Sequence, residues 1–299
     1  MTRVPQSFVQ IDVLIHPDAL EGVSDVLLAL GAKGVADAGT ASQRRVTAYF
    51  PTDGRDEERF RALEARLAQL REAGLQVGVG FISVREVAEQ EWGDIWRVHF
   101  HAQRISPGLI IVPSWEQYRP RPDEQVIVLD PGAAFGTGGH ATTRLCLRAL
   151  TQRLRPGARV ADIGTGSGIL AVGAALLGAS HVLATDSDGA VLEIAAYNAA
   201  RNHVDDRIEI IETDLIPRER GPFDLVLCNI LAPEVVRLAA DLPQLLALGG
   251  VVIVSGFILA SVPEVTAAME QAGLRVMAKP EEGEWAAVVA QAPGGEEAT

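Results

Sequence analysis

The stretch VADIGTGSGIL places three glycines, Gly164, Gly166 and Gly168, between an apolar run and a helical one. Glycine accepts backbone angles that other residues avoid, and it lets the main chain come close to a ligand. A strand that ends in such a turn and enters a helix presents open N–H groups to the crevice beyond its carboxyl end. The spacing is G-x-G-x-G. A dinucleotide fingerprint wants G-x-G-x-x-G, and its last position here is Ile169. Asp162 stands just before the turn, where a carboxylate would repel a pyrophosphate and suits a cationic or hydroxyl-bearing ligand. Asp186 ends the next apolar run, 22 residues after Gly164. A carboxylate there can accept two hydrogen bonds from ribose hydroxyls. It could instead cap the following helix, a duty open also to Ser187 or Asp188. Asp214 ends the run after that and is a candidate for an adenine contact or a solvated loop residue.

Two further places carry chemistry. Asp130-Pro131-Gly132 reads as a turn, and the glycine loop from Phe135 to Gly139 precedes a helix. Such a loop can fold over a ligand and exclude water. Phe135 could cover that ligand or fill a core. Thr143 falls in the first turn of the helix that follows. Asn229 ends the run FDLVLCNI, where an amide carbonyl could accept a hydrogen bond from a substrate nitrogen or a cofactor amine. The histidines offer no metal-ligand spacing beyond the weak pair His99 and His101, and no metal is expected. Cys146 and Cys228 read as small buried apolar residues.

The layout strand-Asp-x-Gly-x-Gly-x-Gly-helix-strand-Asp resembles the class I methyltransferases, over about residues 158–291. The segment LDPGAAFGTGGHATTRLCL, residues 129–147, resembles the signature DPG-x-AFGTG-x-H-x-TT-x-LCL of the PrmA family. EWGDIWRVHFHAQRISPGLIIVPSW and CNILAPEV are similar to that family as well; Gly139 and Ala141 depart from it, standing where Thr and Pro are usual. The family methylates the eleventh protein of the large ribosomal subunit. The resemblance implies S-adenosylmethionine as methyl donor, with cofactor contacts from Thr143, Gly164, Asp186 and Asn229; Phe135 and Gly166 are read as cofactor-binding beside them. It implies Asn229 at the reacting centre, and as methyl acceptors an N-terminal α-amine and lysine ε-amines. Asn229 is followed by Ile-Leu-Ala and not by the Pro-Pro-aromatic of many amino-group methyltransferases, which argues against a flipped base. Another protein, a nucleic acid or a small amine remain alternative acceptors, and a dinucleotide-binding oxidoreductase is the alternative chemistry.

These residues need elements to hold them. From 158 onward strands alternate with helices: strands at 158–163, 181–186, 207–213, 223–230, 249–255, 274–279 and 285–291, helices at 168–178, 188–202, 233–247 and 261–272. That order predicts a mostly parallel sheet covered on both faces. The resemblance implies seven strands around a Rossmann-like core with a final antiparallel strand. Short strands are expected within 105–130. Before them, 6–15 reads as strand, 17–30 as helix, 44–50 as strand, 55–73 as an amphipathic helix and 75–87 as strand. The pattern suits a small β-α-β-β-α-β domain of ferredoxin-like α+β type. The expected organisation is 1–88 for substrate recognition, 89–104 as a linker bearing Trp92 and Trp96, and 105–299 for methyl transfer.

The 299 residues are enough for about two domains. The net charge of −13 argues against a direct reader of nucleic acid and is compatible with a basic protein partner. Two distant cysteines are no disulfide framework. The N-terminus lacks the apolar core of a signal peptide, and no apolar stretch reaches the roughly 18–20 residues of a membrane span. A cytoplasmic protein is expected.

Overall fold

The computed structural model describes residues 7–32, 34–40, 43–52, 56–72, 77, 80–88, 101–129, 139–214 and 218–294. They fall into two compact units, one formed by residues up to His101 and the other by those from Ala102 onward. The expected linker residues 89–100, with Trp92 and Trp96, lie outside the described residues, as does Phe135.

The first unit runs β1 (Ser7–Ile15), α1 (Leu20–Ala29), β2 (Gly34–Gly39), β3 (Arg44–Pro51), α2 (Asp56–Glu72) and β4 (Gly80–Ala88). Its sheet has the order β2-β3-β1-β4, with every pairing antiparallel. Alternation along β1 sends Val9, Ile11, Val13 and Ile15 into one apolar cluster with Val23 and Leu27 of α1 and Leu63 and Leu67 of α2. The other face of β1 carries the polar pair Gln10 and Asp12. There Asp12 accepts from Thr47 Oγ1 at 2.6 Å and from Ser83 Oγ at 2.8 Å, its neighbours on both adjoining strands.

The second unit holds two sheets. The smaller has the order β5 (Gln103–Ser106), β6 (Leu109–Val112), β7 (Gln125–Val128); β5 is antiparallel and β7 parallel to β6. The larger unites β8 (Arg159–Ile163), β9 (His181–Asp186), β10 (Ile208–Glu212), β11 (Phe223–Asn229), β12 (Leu246–Ile258), β13 (Arg275–Ala278) and β15 (Trp285–Gln291). Its order is β10-β9-β8-β11-β12-β15-β13, and the two-residue β14 (Glu281–Glu282) pairs with β15. The first five strands are parallel; β15 is antiparallel to both its neighbours, β12 and β13.

Helices cover both faces because the strands are apolar on both. Leu225 and Leu227 of β11 join one cluster with α3 (Ala141–Arg153) and α4 (Ile169–Leu176). Val226 and Cys228 join the other, with α6 (Ala232–Leu238), α7 (Leu242–Leu245) and α8 (Val262–Gln271). α5 (Gly189–Arg201) is followed by Asn202, whose amide ties β7 of the smaller sheet to the end of that helix. Its Oδ1 accepts from the Val128 N–H at 2.7 Å and its Nδ2 donates to the Val128 carbonyl at 2.8 Å.

One expected element is corrected. The single helix over 233–247 is two helices, 232–238 and 242–245, with β12 beginning at Leu246. Pro243 has no N–H to give the carbonyl of Ala239, so the helical ladder cannot run through it.

Candidate active site

Strand order reverses at β8. The chain moves from β8 to β9 and β10 on one side, then returns to place β11 on the other. A crevice for ligands opens beyond the carboxyl ends of strands at such a point. Gly164 and Asn229 sit there, each at the end of one of the two diverging strands.

The glycine turn uses what only glycine tolerates. Gly164, Gly166 and Gly168 have φ of +70°, +56° and +79°, in the left-handed region. A Cβ on Gly164 would lie 2.5 Å from Ile230 Cγ2, and one on Gly168 would lie 3.1 Å from Ala195 of α5. The turn therefore packs against the residue after Asn229, and the two strand ends adjoin.

Beneath the turn Asp162 is fully buried. Its Oδ2 accepts from Thr165 Oγ1 at 2.7 Å and from the Ala171 N–H at 3.1 Å, while its Oδ1 has no partner. Burial pushes this carboxyl up to about 7, against the pull of those two hydrogen bonds and with help from the charge of Asp186.

Asp186 is half-buried at the end of β9. Its Oδ2 accepts from the Gly166 N–H at 3.0 Å and its Oδ1 from the Asp188 N–H at 3.2 Å. Capping of α5 falls to Asp188, which accepts from the Ala190 N–H at 2.9 Å. Asp186 thus keeps lone pairs for ligand hydroxyls while the turn fixes its orientation. Asp214 lies exposed two residues beyond β10.

Across the crevice, Asn229 Nδ2 donates to Thr143 Oγ1 at 3.4 Å. Thr143 is fully buried in the first turn of α3. Asn229 Oδ1 is buried and accepts no hydrogen bond. A buried acceptor left unpaired costs about 1–3 kcal/mol, which a bound donor would recover. His140 caps α3, its Nδ1 accepting from the Thr142 N–H at 3.3 Å. Ala141 is the first helical residue, a position where Pro would be at ease.

Gly164, Gly166, Asp186, Thr143 and Asn229 thus surround one strand-order reversal, held by the contacts just given. Ile230, which seals the turn against β11, has no signal in the sequence beyond its apolar type. Burial pushes the thiols of Cys146 and Cys228 up, with the nearby Asp162 adding to it, which suits packing and not nucleophilic attack. Among the described residues no group of three His, Cys, Asp or Glu could hold a metal ion.

A family model described as ribosomal protein L11 methyltransferase (PrmA) matches residues 7–293. This chain belongs to the PrmA family. The ribosomal protein L11 methyltransferase of Pelotomaculum thermopropionicum is 38% identical to it, over 95% of this chain and 98% of that one. The relative of the same name from Bacillus cytotoxicus is 35% identical, over 94% and 98%. A crystal structure of a ribosomal protein L11 methylase from Lactobacillus delbrueckii subsp. bulgaricus superposes with a TM-score of 0.61 at 37% identity, covering 65% of this chain and all of that one. The mixed α/β fold of the second unit is therefore a methyltransferase fold, and PrmA membership extends over both units.

Proposed function

We propose that this chain transfers methyl groups from S-adenosylmethionine to amines of ribosomal protein L11, namely its N-terminal α-amine and lysine ε-amines. The observation that carries the reading is the buried, unpartnered Oδ1 of Asn229, beside Thr143 at the carboxyl end of β11. The names of the PrmA relatives support L11 as the substrate.

The residues present fit the cofactor. Asp186 offers acceptors to a ribose diol, and Gly164 and Gly166 let the main chain approach a ligand. Thr143 and Asn229 face the place where an amino-acid ammonium would lie, and Phe135, outside the described residues, would cover the group. Bound S-adenosylmethionine supplies the methyl group on a sulfonium that needs no further activation. The work left to the protein is alignment and the exclusion of water. Asn229 is the catalytic residue: its Oδ1 accepts from an N–H of the incoming amine and points the nitrogen lone pair at the reacting carbon. An amide has no basicity at neutral pH, so Asn229 orients and does not deprotonate. The amine must arrive neutral. An α-amine, with pKa about 8, does so readily; a lysine, near 10.4, needs desolvation by the site.

The organisation follows from the same reading. Residues 1–88 recognise the substrate, 89–104 link, and 105–299 transfer the methyl group. The antiparallel order β2-β3-β1-β4 supports a ferredoxin-like first domain. The net charge of −13 complements a basic ribosomal protein and opposes direct nucleic-acid reading. The substrate places the work in the cytoplasm.

Incubating isolated L11 with this chain and S-adenosylmethionine, followed by mass spectrometry, tests the proposal. Mass gains in multiples of about 14 Da, located on nitrogen by fragmentation, are expected. Tight adenosylmethionine binding with no gain would discard the substrate, and absence of binding would discard the cofactor.

A further inference from the structure

α3 carries Thr143 in its first turn, yet its own sequence starts it poorly. No acidic residue stands in that turn, and the cap is His140 where Ser, Thr, Asp or Asn are the strong choices. Arg144 sets a positive charge near the positive end of the helix dipole. What the helix lacks comes from the β14–β15 hairpin, 138 residues further along the chain.

Glu282 Oε1 accepts from Arg144 Nε at 2.8 Å and meets its Nη2 at 2.6 Å. Glu282 Oε2 accepts from Arg148 Nη1 at 2.6 Å, one turn further along α3. Arg144 Nη1 also donates to the carbonyl of Gly139, the residue before the cap. Arg148 Nε donates to the Ile105 carbonyl of β5 at 3.0 Å. Across the hairpin Glu282 pairs with Trp285. The Trp285 ring meets His140 edge-on, 4.6 Å between centroids, and it shares an apolar cluster with Ala141 and Leu145. Burial disfavours the charge on Glu282, but the two guanidiniums outweigh it and hold the carboxyl below its ordinary range.

We propose that Glu282 is a positioning residue for methyl transfer: by fixing Arg144 it sets the turn that presents Thr143 to Asn229. The inference rests on the adenosylmethionine reading above. Glu282 touches neither cofactor nor acceptor. It supplies from outside the negative charge that the first turn does not contain, and Trp285 holds the cap from the same hairpin. Loss of that charge leaves Arg144 opposed by the dipole and releases its hold on Gly139. Thr143 then loses its fixed register opposite Asn229, while the sheet beneath stays packed.

The full chain and its Glu282→Gln variant would be compared by calorimetric binding of S-adenosylhomocysteine and by steady-state kinetics on L11. Removing a half-buried charge at a helix N-terminus is expected to weaken binding and raise the cofactor KM by about three- to tenfold, with kcat changed by less than about twofold. High salt should narrow the gap, because it screens the intact strap and not the neutral variant. The double exchange Arg144→Glu with Glu282→Gln puts an acid into the first turn without setting a cation against Arg148, and should bring affinity back to within about threefold. A role confined to stability would lower Tm and the active fraction and leave KM unmoved; that result overturns the proposal, as does a variant that binds within about twofold of the unmodified chain. Failure of the unmodified chain to bind S-adenosylhomocysteine would overturn the cofactor reading first, and this inference with it.

Discussion

Replacing Asp162 with Asn isolates the electrostatics beneath the glycine turn. The carboxyl is pushed from its ordinary 3.8 up to about 7. In the unfolded chain it loses its proton near 3.8, whereas in the fold it keeps the proton until about 7. Between those values the folded state binds more protons than the unfolded one, so stability falls as pH rises through the window and stays low above it. At about 1.36 kcal/mol per pH unit, that window represents about 4 kcal/mol. Asn has nearly the same shape and no charge. Its carbonyl oxygen can keep the bonds from Thr165 Oγ1 and the Ala171 N–H, and its NH₂ then fills the place where Asp162 Oδ1 has no partner. A buried, unpaired NH₂ costs about 1–3 kcal/mol. The variant should therefore be more stable than the parent by about 1–3 kcal/mol at pH 8. By pH 5 that advantage should be gone, because the difference between the two proteins shifts by about 3 kcal/mol across the interval. Urea unfolding of both full chains at pH 5, 6, 7 and 8, following the transition of the larger unit, measures this. Parallel pH dependences for parent and variant would refute the reasoning, since they would mean that Asp162 is already ionised in the fold at pH 5.

Removing the side chain of Asn229 with Ala should lower kcat/KM for L11 methylation by about 10²- to 10³-fold, as loss of an orienting polar group does elsewhere, with a much smaller change in S-adenosylhomocysteine affinity. Asp186→Ala should weaken S-adenosylhomocysteine binding by about 10- to 100-fold, and the unmodified chain should discriminate against a 2′-deoxy analogue that Asp186→Ala no longer distinguishes. Gly164→Ala should cost at least about 2 kcal/mol in urea unfolding, from the left-handed φ and the overlap with Ile230. Adding Ile230→Ala should recover only the overlap.

The parts of this fold that local chemistry dictates could be read directly. The strands at 181–186 and 285–291 have the bounds their apolar runs suggest, because flanking polar and glycine residues end them. The glycine turn, Asp186 and Asn229 were legible for the same reason: each is a residue of marked type at the end of an apolar strand. The helix over 233–247 was overread because its apolar spacing continues through Pro243, and periodicity carries no record of a missing N–H. β2, implied by the β-α-β-β-α-β order, could not be given bounds, since GVADAG has no alternating large side chains and depends on pairing with β3. Contacts across long stretches of chain were not legible at all. Nothing near Arg144 announces Glu282, and nothing near Gly164 announces that Ile230 will lie 2.5 Å from where its Cβ would be. Such pairs exist only once the sheet has brought its strands into order.

The amide of Asn202 does for Val128 what a neighbouring strand would do, since it answers both the N–H and the carbonyl of one residue. Asp lacks the donor, and Gln carries an extra methylene that shifts the amide away from Val128. The little sheet β5–β7 is thereby soldered to the end of α5, the helix that follows β9, by a residue 74 positions away. Anyone grafting residues 103–128 onto a different scaffold, or trimming them to shorten the enzyme, would be cutting through that joint. The segment is no removable vestibule, and a chimera that exchanges it must carry residue 202 along or leave the end of β7 with two bare main-chain groups.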